Sequence, residues 1–177
     1  MILATVDLRK NSKSVMVLNL KTQILEQLIS KVKSEIAILE KASEATHSLA
    51  TDSEFKAESK YDTRALEASY LAGAEAKRVE ELKLELQMLE EVDITLTQKL
   101  NEITIGSIVQ LKFKDQIRDY FLIPTAGGLL VDVGGKGVLV VSVFSPLGDA
   151  MLGLKKGEEF EVETPKESRI YQIMEVH

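Results

Sequence analysis

Acidic side chains are concentrated near the middle of the chain, where Asp52, Glu54 and Glu58 precede Asp62 and alternate with lysines. Carboxylate oxygens suit Mg²⁺, which usually takes one or two protein carboxylates together with phosphates and water. Asp52, Glu54 and Glu58 are therefore candidate ligands for a Mg²⁺ ion shared with a partner molecule. The alternative is a charge-balanced, solvated turn, which the interleaved basic residues favour.

Other reactive residue types are scarce. The chain has no Cys and only two His, His47 and His177. Thiolate metal sites and disulfides are therefore excluded, and no histidine cluster exists for zinc or for general-base chemistry. No side chain pairs as a nucleophile with an oriented base. We expect no enzyme activity of the chain's own and no cofactor bound by the chain alone.

The net charge and the hydropathy of the chain exclude some classes of binding partner. The net charge of −6 argues against affinity for bare nucleic acid, which needs clustered Lys and Arg, so sequence-specific DNA binding is not expected. No apolar run is long enough to span a membrane, and the N-terminus lacks the pattern of a secretory signal. Together with the absence of Cys, this predicts a cytoplasmic protein.

Two segments with helical periodicity flank the acidic stretch. Apolar residues of the first segment alternate by four and three, the spacing of a coiled-coil seam. They are Leu25, Ile29, Val32, Ile36 and Leu39. The returning segment has the same spacing at Val79, Leu82, Leu86 and Leu89. The sequence therefore predicts an antiparallel helical hairpin whose tip lies in the acidic stretch.

Some side chains outside these seams are also predicted to pack in the hairpin. Leu28 and Ile38 widen the apolar face of the first segment. Tyr61 and Tyr70 are expected to pack across the hairpin near its tip. A contact with a partner is the alternative for the two tyrosines.

The chain changes character after Asn101, where glycine and β-branched residues take over. Strands are predicted at 108–113, 120–123, 129–133, 138–143, 160–164 and 170–176. Ser145 is a capping residue and Pro146 suits the first helical position, so a short helix should run to about Leu152. This pattern predicts a small twisted sheet with one short helix.

A glycine-rich tetrapeptide, Gly134-Gly135-Lys136-Gly137, lies between two of these strands. It could in principle cradle a phosphate, but it opens onto a strand rather than a helix N-terminus. A plain β-turn is the preferred interpretation.

The segment from Val143 to Glu158, VFSPLGDAMLGLKKGE, resembles a motif of the GreA/GreB transcript cleavage factors of bacteria. The strand before it and the strand EFEVETP after it occur where that family has strands. The resemblance covers most of 103–177 and implies an FKBP-like fold. The full expectation is an α+β chain, with a long N-terminal antiparallel helical hairpin (coiled coil) followed by a small FKBP-like β-rich domain with one short helix.

The hairpin tip is similar to the family's pattern but departs from it. With Tyr61 aligned to the family's tyrosine, the first acidic position is Glu54 and the second is Ala57, with Glu58 displaced by one residue. A shift of one position along a helix rotates a side chain by about 100° around the helix axis. Stimulation of cleavage and simple occupation of the channel therefore both stay open.

The resemblance implies a transcription elongation factor that binds RNA polymerase. The β domain would dock on the rim of the secondary channel through Phe144, Ser145 and Pro146. The hairpin would enter the channel, and its tip carboxylates would share Mg²⁺ with the polymerase near the backtracked nascent RNA. The competing hypotheses are a coiled-coil scaffold and an isomerase or chaperone on the FKBP-like domain.

The predicted domains are an N-terminal extension at 1–20, the helical hairpin at 21–100 and the Gre-type domain at 101–177. Met16 is an alternative start, in which case the first fifteen residues are a loose extension.

Overall fold

The computed structural model describes residues 2–51, 64–96 and 102–177. They form two compact units, one of residues 1–28 and 88–177 and one of residues 29–87. Both units contain parts of the two long helices. The predicted domain boundaries at residues 20 and 100 therefore stay predictions.

Two long helices dominate the first half. Helix α1 spans Ile2–Thr51 and helix α2 spans Arg64–Glu90. Neither Gly nor Pro occurs in α1, so nothing in its sequence breaks the backbone hydrogen-bond ladder. The helix begins at Ile2, well before the apolar repeat at Leu25. Among the described residues, no helix is long and apolar enough to cross a membrane.

The buried stripe of α1 differs from the predicted seam. Ile24, Leu28, Val32 and Ile36 are buried, whereas Leu25, Ile29 and Leu39 are only half-buried. The observed spacing is four throughout, so the stripe drifts around the helix by about 40° per step instead of following the coiled-coil alternation. The prediction was right for Val32 and Ile36 and shifted by one residue before them.

The returning helix follows its predicted seam more closely. Val79, Leu82 and Leu89 are buried, and Leu86 is half-buried. Tyr70 is 73% exposed, so the prediction that it packs across the hairpin was wrong. Nine residues separate Tyr70 from Val79, which places their side chains on opposite sides of α2. Tyr61 lies outside the described residues.

Ile38 is also exposed, at 66%, which corrects its placement on the apolar face. It is two residues from buried Ile36, so its side chain points about 200° away around α1.

Ion pairs link the two helices within residues 29–87. Arg78 Nη2 lies 3.3 Å from Glu35 Oε1, and Lys83 Nζ lies 2.7 Å from Glu40 Oε1. All four side chains are about half exposed, so each pair contributes at most about 1 kcal/mol. The buried apolar side chains of Val32, Ile36, Val79 and Leu82 therefore supply most of the stability of this unit.

The second half forms a six-stranded sheet. Its strands are β1 (Ile108–Phe113), β2 (Gln116–Ile123), β3 (Leu130–Val133), β4 (Lys136–Ser142), β5 (Glu159–Glu163) and β6 (Ser168–Val176). Their order across the sheet is β3-β4-β2-β1-β6-β5. Strands β2 and β4 pair in parallel, and all the other neighbours pair antiparallel.

One face of the sheet carries the hydrophobic core. Helix α3 (Pro146–Met151) packs there through Met151, together with Ile103. The backbone N–H of Ile103 donates to the Leu154 carbonyl, and the N–H of Gly153 donates back to the Ile103 carbonyl, each at 2.8 Å. The expected fold class is confirmed: long helices precede a β-rich domain that contains one short helix.

The first two residues of the glycine-rich tetrapeptide form a tight turn between β3 and β4, and Lys136 begins β4. Gly134 and Gly135 have φ values of +62° and +81°, which glycine adopts without steric cost. The N–H of Gly135 donates to Asp132 Oδ1 at 2.9 Å. The prediction of a β-turn at this position is therefore confirmed.

Candidate partner-docking surface

The three candidate metal ligands, Asp52, Glu54 and Glu58, lie outside the described residues. Within the described ranges, no group of three or more His, Asp or Glu side chains is arranged to hold a metal ion. The Mg²⁺ hypothesis therefore rests on the sequence alone. The predicted partner-binding residues Phe144, Ser145 and Pro146 are described, and they define the candidate site.

Ser145 holds the turn between β4 and α3. Its Oγ accepts from the Gly148 N–H at 3.1 Å, which caps α3, and donates to the Ser142 carbonyl at 2.7 Å. Pro146 follows at the start of the helix, where its missing N–H costs no hydrogen bond. The predicted cap and helix start are both confirmed.

Ser142 anchors the same turn from the end of β4. Its Oγ donates to the Pro124 carbonyl at 3.1 Å and accepts from the Phe144 N–H at 3.2 Å. The loop after β2 and the loop after β4 are therefore joined through one side chain. The turn that carries Phe144 has few alternative conformations open to it.

Two glycines permit the backbone to pass this closely around Ser142. A Cβ atom at Gly148 would lie 2.1 Å from the Ser142 carbonyl oxygen, and one at Gly127 would lie 2.8 Å from the Ser142 nitrogen. Neither distance is compatible with a side chain, so both positions require glycine.

Phe144 projects from this braced turn and is 83% exposed. Beside it lies an open groove of about 620 Å³. The groove is lined by Met88, the loop 124–128, the β4 residues Leu139–Ser142, and Phe144, Ser145 and Leu147. None of these lining residues carries a charge, so the surface suits apolar side chains of a partner.

The sequence predicted Phe144, Ser145 and Pro146 of this surface but not the residues that fix their positions. Ser142, Gly127 and Gly148 were not singled out, and neither was Met88. The Gly148 signal was present, since a glycine in the first turn of a predicted helix has low helix propensity and calls for a packing reason. Met88 and Gly127 gave no signal, because their roles depend on residues distant in the chain.

Comparison with known families gives one decisive result. Residues 97–177 match the family model described as transcription elongation factor, GreA/GreB, C-terminal. Residues 97–177 are therefore similar to the C-terminal domain of the GreA/GreB transcription elongation factors. All residues of the docking surface except Met88 lie within the matched segment 97–177. A comparison with curated proteins gives no match.

Solved structures that resemble the chain come from the same group of factors. The GreA factor homolog 1 (Gfh1) of Thermus thermophilus is 18% identical, with coverage of 84% of this chain and 94% of that one at a TM-score of 0.35. Thermus aquaticus Gfh1 is 22% identical, with coverage of 86% and 92% and a TM-score of 0.37.

A GreA/GreB factor from Nitrosomonas europaea is 25% identical, with coverage of 55% and 78% and a TM-score of 0.33. TM-scores of this size carry no argument, so the likeness to GreA/GreB factors rests on the sequence match over residues 97–177.

Proposed function

We propose that this protein is an RNA polymerase-binding elongation factor of the cytoplasm that acts on backtracked complexes by stimulating transcript cleavage. In this proposal the GreA/GreB-type domain docks on the rim of the secondary channel and the helical hairpin enters the channel. The observation that carries the proposal is the family match over residues 97–177. The polymerase performs the chemistry, and the factor is an accessory to its active site.

The docking step is assigned to Phe144 and the apolar groove beside it. An exposed aromatic side chain on a rigid support is typical of a binding hot spot, because little conformational entropy is lost when it is buried. Burying one phenylalanine side chain contributes about 1.5–3 kcal/mol. Ser145 and Pro146 position Phe144 and form the edge of the contact.

The cleavage step is assigned to the hairpin tip. Glu54 and Glu58, with Asp52 in support, would contribute carboxylate oxygens to a Mg²⁺ ion of the polymerase. Such an ion activates water for attack on a phosphodiester bond. The seams of α1 and α2 are buried at Val32, Ile36, Val79 and Leu82. They hold the two helices of the hairpin together and so support the tip.

RNA cleavage in a backtracked elongation complex tests this proposal. We expect the wild-type protein to accelerate cleavage, and Glu54→Ala or Glu58→Ala to abolish the acceleration. Glu80→Ala is the matched control, since it removes one carboxylate from an exposed position of α2. Equal loss in all three variants would contradict a specific role for the tip.

Phe144→Ala tests the docking step separately. Loss of the buried ring should weaken binding to the polymerase about 10- to 100-fold, measured as competition with a GreA protein. Ile170→Ala is the control, because Ile170 is 61% exposed and lies outside the groove. Unchanged competition by Phe144→Ala would refute this docking surface.

A channel regulator that does not cleave is the second candidate. Ala57 favours this candidate, because it occupies the position where the family has its second acidic residue. Competition with a GreA protein in the absence of any cleavage would establish it in place of the first candidate.

A coiled-coil scaffold is the third candidate, and exposed apolar side chains on the helices favour it. Leu66 and Tyr70 are one helical turn apart and are 55% and 73% exposed, and Leu84 is 58% exposed. A partner helix could bury these residues. Absence of both cleavage and competition, with capture of a helical partner that Tyr70→Ser abolishes, would support this candidate.

A further inference from the structure

A second cavity opens on the core-facing side of the sheet, at the end away from α3. It lies between the β1–β2 turn and the β5–β6 turn and has a volume of about 240 Å³. Leu111 and Phe113 of β1 form its apolar wall. Polar side chains from β2 and β6 complete it. We call it the sheet-end pocket.

Strand register explains why polar groups gather here. Gln116 and Arg118 pair with Phe113 and Leu111 across β1 and β2, and alternate residues of a strand share a face. The face that is apolar under α3 therefore continues into Arg118 of β2 and Arg169 of β6. No residue of α3 lines the pocket, and Gln116 and Arg118 are exposed.

Arg169 is held in a fixed position. Its Nε donates to Glu167 Oε1 at 3.0 Å, and its guanidinium lies 5.4 Å from the centre of the Phe113 ring. A hydrogen bond to the Tyr171 side chain raises the pKa of Arg169 further. The bonds to Glu167 and Tyr171 use two of the five N–H groups of this guanidinium, and the others can donate to a ligand.

Arg118 has a neutral partner. Its Nη2 donates to Gln116 Oε1 at 2.8 Å, and within the described part of the chain no ion pair joins it to a carboxylate. None of the side chains that line the sheet-end pocket is acidic. The side chains that line the pocket therefore carry two positive charges and no negative one, and Glu167 contacts Arg169 from outside this lining.

Two tyrosines add hydroxyl groups. Tyr120 and Tyr171 line the pocket and are each 7% exposed. A tyrosine phenol is protonated at neutral pH and can donate a hydrogen bond, and burial raises the pKa of Tyr120 further above its ordinary value. Tyr171 is fixed between Phe113 and Phe160, with ring centres 5.2 Å and 5.5 Å away.

We propose that the sheet-end pocket binds a small phosphorylated molecule, with its phosphate between Arg118 and Arg169 and its organic part against Phe113 and Leu111. The planar guanidinium presents paired donors that match the oxygens of a phosphate. Two arginines, of which only Arg169 has a carboxylate partner in Glu167, favour a dianion over a singly charged carboxylate. The volume exceeds that of a phosphate ion and leaves room for a group of about the size of a sugar.

Titration of the full-length protein with three probes tests this inference. The probes are ribose 5-phosphate, inorganic phosphate and ribose, each followed by amide shifts in nitrogen-15 NMR spectra. We expect saturable binding of ribose 5-phosphate, weaker binding of inorganic phosphate and none of ribose. The shifts should be confined to β1, β2 and β6. Absence of saturable binding, or shifts spread over the surface, would overturn the proposal.

Arg118→Gln and Lys166→Gln form the matched pair of variants. Both remove one positive charge from exposed positions at the same end of the sheet, and only Arg118 lines the pocket. We expect at least tenfold weaker binding of ribose 5-phosphate for Arg118→Gln and less than twofold for Lys166→Gln. Equal weakening in both would mean general electrostatic attraction and would overturn the site.

Tyr171→Phe is a second variant that retains the ring and its packing. We expect it to weaken ribose 5-phosphate binding about threefold to tenfold, with an unchanged melting temperature. Unaltered binding would remove the phenol from the site.

Discussion

Gly148 shows how much the docking surface depends on one missing side chain. The Ser142 carbonyl oxygen accepts from Ser145 Oγ at 2.7 Å and lies where a Cβ atom of residue 148 would be. The cap of α3 and the position of Phe144 both follow from this close approach.

Gly148→Ala should therefore destabilise the protein by at least about 2 kcal/mol, because the added methyl group forces the turn apart. Gly73→Ala is the matched control. A Cβ atom at Gly73, inside α2, would meet no atom within 4 Å, so this change should stabilise by about 0.5–1 kcal/mol. Chemical denaturation of both variants measures the two effects, and a neutral Gly148→Ala would contradict the steric account.

At the residue scale, the sequence predicted what depends on neighbours in the chain. Ser145-Pro146 is a helix start in any context, because the cap and the proline act within one turn. The need for glycine at 148 depends on the path of β4, so only the tertiary structure reveals it. Arg118 and Arg169 gave no signal for the same reason, since they meet only after β2 and β6 are both placed in the sheet.

Helix α1 carries the clearest disagreement at the scale of the element. The seam predicted from alternating spacing included Leu25 and Ile29, whereas Ile24 and Leu28 are the buried residues. Apolar residues occur at all four positions, so hydropathy alone permits either register. The tertiary packing of α1, which its sequence does not show, decides between them.

Leucine truncations one turn apart test this register. Leu28 is 2% exposed, so Leu28→Ala should cost about 2–5 kcal/mol of unfolding free energy. Leu25→Ala removes the same atoms from a half-buried position and should cost less than half as much. Equal losses, measured by denaturant unfolding, would favour the predicted seam over the observed one.

The strands were easier to predict than the helical register. The strand at 108–113 has the predicted bounds, and the other five lie within a few residues of theirs. Short β-branched runs between glycine-rich turns leave few alternatives. The order of the strands was not predicted, because the β1–β6 and β2–β4 pairings join segments distant in the chain.

At the scale of the whole molecule, one buried charge links stability to alkaline pH. Lys21 is fully buried, and its Nζ donates to the Ile94 carbonyl at 2.8 Å. Burial lowers the pKa of Lys21 to about 8, although nearby Asp93 raises it in part. The folded state therefore binds the Lys21 proton less tightly than the unfolded chain does.

The sign of the pH effect follows from this depressed pKa. Between about pH 8 and pH 10.5 the unfolded chain keeps the Lys21 proton while the folded chain has lost it, so stability rises with pH. Relative to Lys21→Met, the wild type should gain about 2–3 kcal/mol of unfolding free energy from pH 7 to pH 10.

Lys21→Met is the suitable reference because methionine fills a similar volume and does not titrate. Comparison of the two proteins cancels the titration of every other group, including Tyr120. If the unfolding free energies of the two proteins change equally between pH 7 and pH 10, Lys21 keeps its proton in the folded state.

The pairing of β6 with β1 has a consequence for how the protein is made. Strand β6 lies between β1 and β5, and the N–H of Ile108 donates to the His177 carbonyl. A ribosome releases residues in order, so β1 waits for a neighbour that is synthesised about sixty positions later. The α1–α2 hairpin can pair during translation, whereas the sheet is completed only after Val176 has left the exit tunnel. Until then β5 lacks its partner strand, and this is the interval in which the nascent chain most needs chaperone protection.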